Sequence, residues 1–159
     1  MTQANESRQE QIVAEYEELW NGEFSNIDVV AYAASVYDPA APEGVVHGRD
    51  AVEAHVRETF RGFPDFSLET HEMFVRDGVV MLDWTASGTF DGEFYGAPPT
   101  GRSFTISGMA KTTVRDERVQ EDRLYYNERE MLAQLGMTFP DVVLLLPKMA
   151  GAKLRRIVE

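Results

Sequence analysis

The sequence predicts an α+β fold, with helices first and a meander of antiparallel strands after them. Three observations carry this reading. The first sixty or so residues hold capped segments with apolar side chains at helical spacing. From about residue 67 the chain turns to β-branched and aromatic runs punctuated by turn dipeptides such as Asp77-Gly78. Two of those runs flank residues 88–102, GTFDGEFYGAPPTGR, which hold four glycines and two prolines. A tight hairpin needs only about two to five linking residues, so this link is expected either to close a sheet edge or to roof a cavity.

The elements follow in order. Ser7-Arg8-Gln9-Glu10 fits a capping box, and Ile12, Val13, Tyr16, Leu19 and Trp20 continue at helical spacing until Asn21-Gly22 ends the helix. Asn26 is expected to cap a second helix carrying Ile27, Val30 and Ala33 or Ala34, followed by a short strand at 35–37 and a proline-flanked loop at 39–42. Asp50, with Glu53 three residues on, caps a third helix with the stripe Val52, Val56 and Phe60, and Gly62 stops it. Strands are expected at about 67–75, 79–87, 104–114 and 119–126, and a short helix at 128–135 ends at Gly136. Residues 1–136 thus make one domain. Residues 137–159 form a helical tail packed on that domain or on a partner subunit, with Asp141 placed to cap the apolar run 142–146 and Pro147 placed to interrupt it.

Composition narrows the function. A chain of 159 residues is about one domain. It has no cysteine, which removes disulfides, thiolate nucleophiles and cysteine metal sites, and its three histidines lack ligand spacing, so no metal is expected. The net charge of −12 repels nucleic acid and anionic membrane, so neither is an expected partner. No apolar run reaches the roughly 18 residues of a membrane span, and the polar N-terminus lacks a signal-peptide core, so a cytoplasmic location is expected. The acidic excess with little lysine resembles proteins of a salt-rich cytoplasm; an ordinary acidic soluble protein is the alternative.

Several pieces together carry a resemblance: Phe63-Pro64-Asp65, Gly88-Thr89, Gly92, Gly96, Pro98-Pro99-Thr100-Gly101-Arg102, Glu121 and Gln134-Leu135-Gly136. They resemble the SnoaL-like polyketide cyclase family, which has the nuclear transport factor 2-like fold. The resemblance implies a cone-shaped, mostly antiparallel sheet around the N-terminal helices, with an interior pocket for a largely apolar carbonyl compound. It implies a cofactor-free ring closure of polyketide esters, in which a carboxylate removes an acidic C–H proton and the enolate attacks a carbonyl. Such chemistry needs a base of raised pKa in a dry pocket and donors for the developing oxyanion. The family's base is an Asp seven residues before the Gln of its QLG piece, where this chain has Asn127. The family's His after Gly-Thr is Phe90 here, and its Trp two residues after the Glu is Arg123.

Alternation puts Glu121, Arg123, Tyr125 and Asn127 on one face of the last strand if no bulge intervenes, and Leu82, Trp84, Ala86 and Phe90 on one face of an earlier strand. If these faces line the pocket, Asn127 and Tyr125 polarise the carbonyl and Glu121 is the nearest proton acceptor. Arg123 beside Glu121 would instead hold it ionised as an ion pair. Trp84, Phe90, Met109, Arg123 and Tyr125 are then the candidate substrate contacts. His71 reads as a surface strand residue, His55 as a solvent-edge residue of the third helix, and Asp83 as solvated opposite Trp84. Three functions stay open: a cofactor-free cyclase or isomerase, a binding protein that has lost its base, and an interaction subunit. A homodimer or higher oligomer is expected, because outer-face residues such as Met81 and Met109 need cover.

Overall fold

The structure, a computed structural model, describes residues 3–138, 146–148 and 150. The expected tail therefore lies largely outside the described residues, including Asp141 and the run 142–145. The first helix, α1, spans Gln3–Trp20 and buries Ile12, Val13, Tyr16, Leu19 and Trp20, the stripe expected of it. It starts earlier than expected, so the Ser7 capping box lies inside the helix. The expected second helix is not one. Phe24–Val29 is a single 3-10 segment, and Val30–Tyr37 is strand β1. Here pairing wins over local spacing. Val30, Ala34 and Val36 are buried, and β1 pairs in parallel with β6 (Arg118–Tyr126) and antiparallel with the short β2 (Val46–His47).

Helix α2 spans Arg49–Gly62 and buries Val52 and Val56. Its N-cap is Gly48, with Asp50 in the first turn, where a carboxylate favours the helix dipole. Strands β3 (Ser67–Arg76), β4 (Val79–Thr89) and β5 (Ser103–Arg115) complete a six-stranded sheet in the order β2-β1-β6-β5-β4-β3. Every pairing is antiparallel except that of β1 with β6. Helix α3, Glu128–Gln134, follows β6. The inner sheet face, with Leu82, Trp84, Ala86, Phe104 and Ile106, packs toward the helices, so the sheet curves around its core.

Two close approaches shape the interior. A Cβ built on Gly108 would lie 2.4 Å from Trp84 Cζ2, so the bare glycine leaves room for the indole of its cross-strand partner. The link 88–102 folds back over the end of α2, where the amides of Asp91 and Gly92 both donate to the Gly62 carbonyl. A Cβ on Gly92 would sit 1.9 Å from the Arg61 carbonyl oxygen. Gly92→Ala is therefore expected to lift the link off α2 and to cost about 1–3 kcal/mol. Urea melts and limited proteolysis of the link check this; an unchanged midpoint and cleavage pattern would contradict it.

Candidate active site

Between α1, α2 and the inner sheet face lies a cavity of about 80 Å³. Its walls are rings such as Trp20, Phe63, Phe66 and Phe104, but Glu17, Asp38, Asp122 and Tyr126 also reach it. An outer pocket of about 310 Å³ lies between the link and α3, and shares Ala40, Phe63, Phe94 and Met131 with the inner cavity. The link thus roofs a cavity, through Phe94 and Tyr95. The inner cavity alone is smaller than the roughly 300–1,000 Å³ of ordinary ligand sites. Together the two spaces suit a small polar head inside and a larger apolar body outside.

Glu17 comes from the flank of the α1 stripe, at Val13 + 4 and Trp20 − 3. It is half-buried, and its Oε2 accepts from the Thr70 hydroxyl at 2.9 Å. Burial, with the nearby charge of Asp122, pushes its carboxyl up to about 8, although the Thr70 bond pulls the other way. Asp122 comes from β6 and is fully buried. Tyr16 donates to its Oδ2 at 3.0 Å and Thr112 to its Oδ1 at 2.9 Å. Burial pushes it up to about 6; the Asp38 charge adds to this, and the two hydroxyls partly offset it. The Trp84 indole N–H is buried without a hydrogen-bond partner. An orphan donor of this kind costs free energy until an acceptor arrives.

Asp38, at the exit of β1, is held differently. His55 Nε2 lies 2.9 Å from its Oδ2, and Oδ1 accepts from the Tyr126 hydroxyl at 2.6 Å and the Ala40 amide at 2.9 Å. Burial alone would raise its pKa, but these partners together hold it below the ordinary carboxylate value. His55 is 1% exposed, so its expected place at the solvent edge is corrected. Burial of this imidazole is offset by a hydrogen bond at each ring nitrogen, with the Asp38 carboxylate accepting at Nε2 and the Tyr95 hydroxyl lying at Nδ1. His71 is exposed as expected and bonds Thr85. Asp83 is half-buried and accepts from the Glu72 amide at a bulge in β3.

The expected site residues are divided between two faces. Trp84 lines the inner cavity and Phe90 the outer pocket. Glu121 and Arg123 pair with each other at 2.7 Å, and Arg123 covers the Tyr37 ring; neither lines the inner cavity or the outer pocket. Met109 and Tyr125 are exposed cross-strand partners on the outer face. Asn127 is exposed and caps α3, accepting from the Glu130 amide at 3.1 Å. For Glu121, Arg123 and Tyr125 the cause is a bulge in β6, whereas Met109 alternates outward beside buried Ala110 on β5 and Asn127 lies past the end of the strand. Thr113 pairs with Glu121 but Val114 pairs with Val119, so Gln120 is an extra residue. Val119 faces in, and beyond the bulge the inward residues are Asp122, Leu124 and Tyr126. The apolar Leu124 was the signal for that phase. Among the described residues no cluster of acidic and histidine side chains is arranged to hold a metal ion.

Comparison with known proteins agrees with the architecture. Among curated proteins none matches the chain. IdmH of Streptomyces antibioticus, a candidate polyketide cyclase, is 26% identical over 80% of this chain and 98% of its own, with a TM-score of 0.66. TsrD of Streptomyces laurentii shares 18% identity over 87% of this chain and 99% of its own, with a TM-score of 0.72. A candidate SnoaL-like polyketide cyclase from Jannaschia sp. CCS1 shares 18% identity over 82% of this chain and 92% of its own, at 0.67. The family model described as SnoaL-like polyketide cyclase matches residues 10–135. With that match spanning most of its length, and with helices held in a curved six-stranded sheet, the chain belongs to the SnoaL-like polyketide cyclase family.

Proposed function

We propose that this protein is a cofactor-free cyclase or isomerase that acts on an apolar carbonyl compound by proton abstraction and enolate stabilisation. The observation that supports it best is the pair of carboxyl groups, Glu17 and Asp122, on the wall of one apolar cavity with their affinities for protons pushed apart, to about 8 and about 6. Between those values one group is a carboxylate and the other still an acid. In this reading Asp122 takes the C–H proton, and Glu17 and the Trp84 N–H donate to the developing enolate oxygen. The roles expected of Glu121 and Asn127 pass to Asp122 and Glu17. The apolar body of the substrate lies against Phe90 and Phe94 in the outer pocket.

The test is hydrogen exchange. A β-dicarbonyl probe with an apolar tail, incubated with the protein in D₂O near pH 7, should lose its acidic C–H signal in the proton spectrum faster than in buffer. A second reading has its own support: Asn127, which the resemblance sets at the family's base position, is an exposed cap residue that cannot titrate. The chain would then be a binding protein. Saturable binding with exchange no faster than in buffer would favour that reading and defeat the first.

We also propose a homodimer or higher homo-oligomer. Phe74 and Met81 pair across β3 and β4, Met109 and Tyr125 pair across β5 and β6, and all four are exposed on the outer face. Light scattering at micromolar concentration should give at least twice the chain mass. A monomer throughout that range would refute it. Among the described residues no helix is long and apolar enough to cross a membrane.

A further inference from the structure

A second constellation runs from the partly exposed Tyr95 to Asp38, which shares the inner cavity wall with Glu17 and Asp122. The Tyr95 hydroxyl lies 2.6 Å from His55 Nδ1, and His55 Nε2 lies 2.9 Å from Asp38 Oδ2. Asp38 is itself fixed by Tyr126 and by the Ala40 amide. A hydroxyl, an imidazole and a carboxylate in that sequence is the arrangement of an activated nucleophile, its base, and the group that orients the base. Because Asp38 is held ionised, it takes the Nε2–H, and Nδ1 keeps the lone pair that meets Tyr95.

Two further observations set Tyr95 apart. Its φ is +46°, a left-handed conformation uncommon for a residue with a large side chain. That conformation is held by the Glu58 carboxylate, which accepts the Tyr95 amide at 2.6 Å, and backbone strain of this kind gathers at reactive sites. Tyr95 also lines the outer pocket and remains partly exposed. Burial first, then the charges of Glu58 and Asp38, raise the phenol above its ordinary value. The resting group is thus a phenol, and it becomes reactive only when His55 takes its proton.

We propose that Tyr95, His55 and Asp38 form a second chemical centre, facing the outer pocket and competent to accept an acyl group from an apolar ester. The Tyr95 oxygen bonds to the ester carbonyl carbon while its proton passes to His55 Nδ1. The ester C–O bond breaks and the alkoxide or phenolate leaves, with the imidazolium held by Asp38. Water then hydrolyses the acyl-tyrosine, and His55 returns the proton. The centre stands on its own geometry and does not depend on Glu17 or Asp122.

The test uses the whole chain and p-nitrophenyl acetate. A burst of about one equivalent of p-nitrophenolate is expected, with acetyl-tyrosine found at Tyr95 by peptide mapping. Esters are told from lysine amides by their lability to hydroxylamine. The exposed Tyr32 serves as the internal reference. Tyr95 should be labelled at least 10-fold faster than Tyr32, and Tyr95→Phe should abolish the burst. His55→Gln should bring Tyr95 down to the reference rate. Labelling of Tyr95 in the unaltered protein no faster than Tyr32 would overturn the proposal without any variant that must fold. A burst that survives Tyr95→Phe, or an excess at Tyr95 that survives His55→Gln, would overturn it too. The burst and the labelling are read on an ester and on the Tyr95 oxygen, and proton exchange is read on a dicarbonyl that has no acyl group to give up, so failure here is distinct from failure there.

Discussion

Asp122→Asn is expected to slow proton abstraction by about 10²–10⁴-fold, the usual contribution of a positioned general base. The amide keeps the size of the carboxylate. Its oxygen can accept from one of Tyr16 and Thr112, and its NH₂ can donate to the other hydroxyl, so the buried network survives. Binding of apolar ligands should therefore persist while turnover falls. The pH profile gives the sign. The carboxylate of Asp122 is gained as pH rises through about 6, and the acid form of Glu17 is lost as pH rises through about 8. The unaltered protein should show a bell between those values, which belong to the pair rather than to either residue alone. Asp122→Asn should remove the acid limb along with most of the rate. A flat profile from pH 5 to 9, or a rate unchanged in Asp122→Asn, would rule out this assignment.

Glu17→Gln is expected to stabilise the protein at alkaline pH. The folded-state pKa of Glu17 is raised above its unfolded value, so the unfolded chain releases this proton first. The resulting penalty is absent below about 4.5, grows as pH rises, and is complete above about 8. In a fully dry site a rise of that size is worth several kcal/mol. Because Glu17 keeps some contact with solvent, about 2–3 kcal/mol is the effect to expect. Urea melts at pH 9 should show the variant more stable by that amount, and melts at pH 4.5 should show the two nearly equal. A difference of the same size at both pH values would point to packing and away from the buried charge. The same variant should lose the alkaline limb of the exchange profile, which ties the stability cost of this carboxyl to its proposed use.

Most of the fold was legible because its signals are local. The α1 stripe, the Asp77-Gly78 turn and the four long strands each appear in a window of about ten residues, and each sits where periodicity put it. The segment from Val30 misled because its alanines suit a helix, and only its distant partner β6 makes it a strand. The site was harder to read because its groups come from six separate stretches of chain. Glu17 left a trace as a charged residue on an apolar helical face. Asp38 lay in a loop approach with no periodic neighbour to orient it. His55 sat beside a stripe whose edge proved to be covered, by Trp20 on one side and Tyr95 on the other. Tyr95 belonged to a glycine-rich link whose path across α2 no spacing rule supplies.

The extra residue in β6 bears on how roles are compared between relatives. An insertion in a loop leaves the sheet untouched; one inside a strand must either flip everything that follows or be absorbed by a bend. Gln120 is absorbed, so Val119 and Asp122, three apart, look into the same interior. A position-by-position alignment sees only one more letter and carries assignments straight across it. Without the same bend in both chains, that transfer moves a residue from one wall of the cone to the opposite side. For this chain, chemistry is better traced by the side of the sheet a residue occupies than by its rank along the strand.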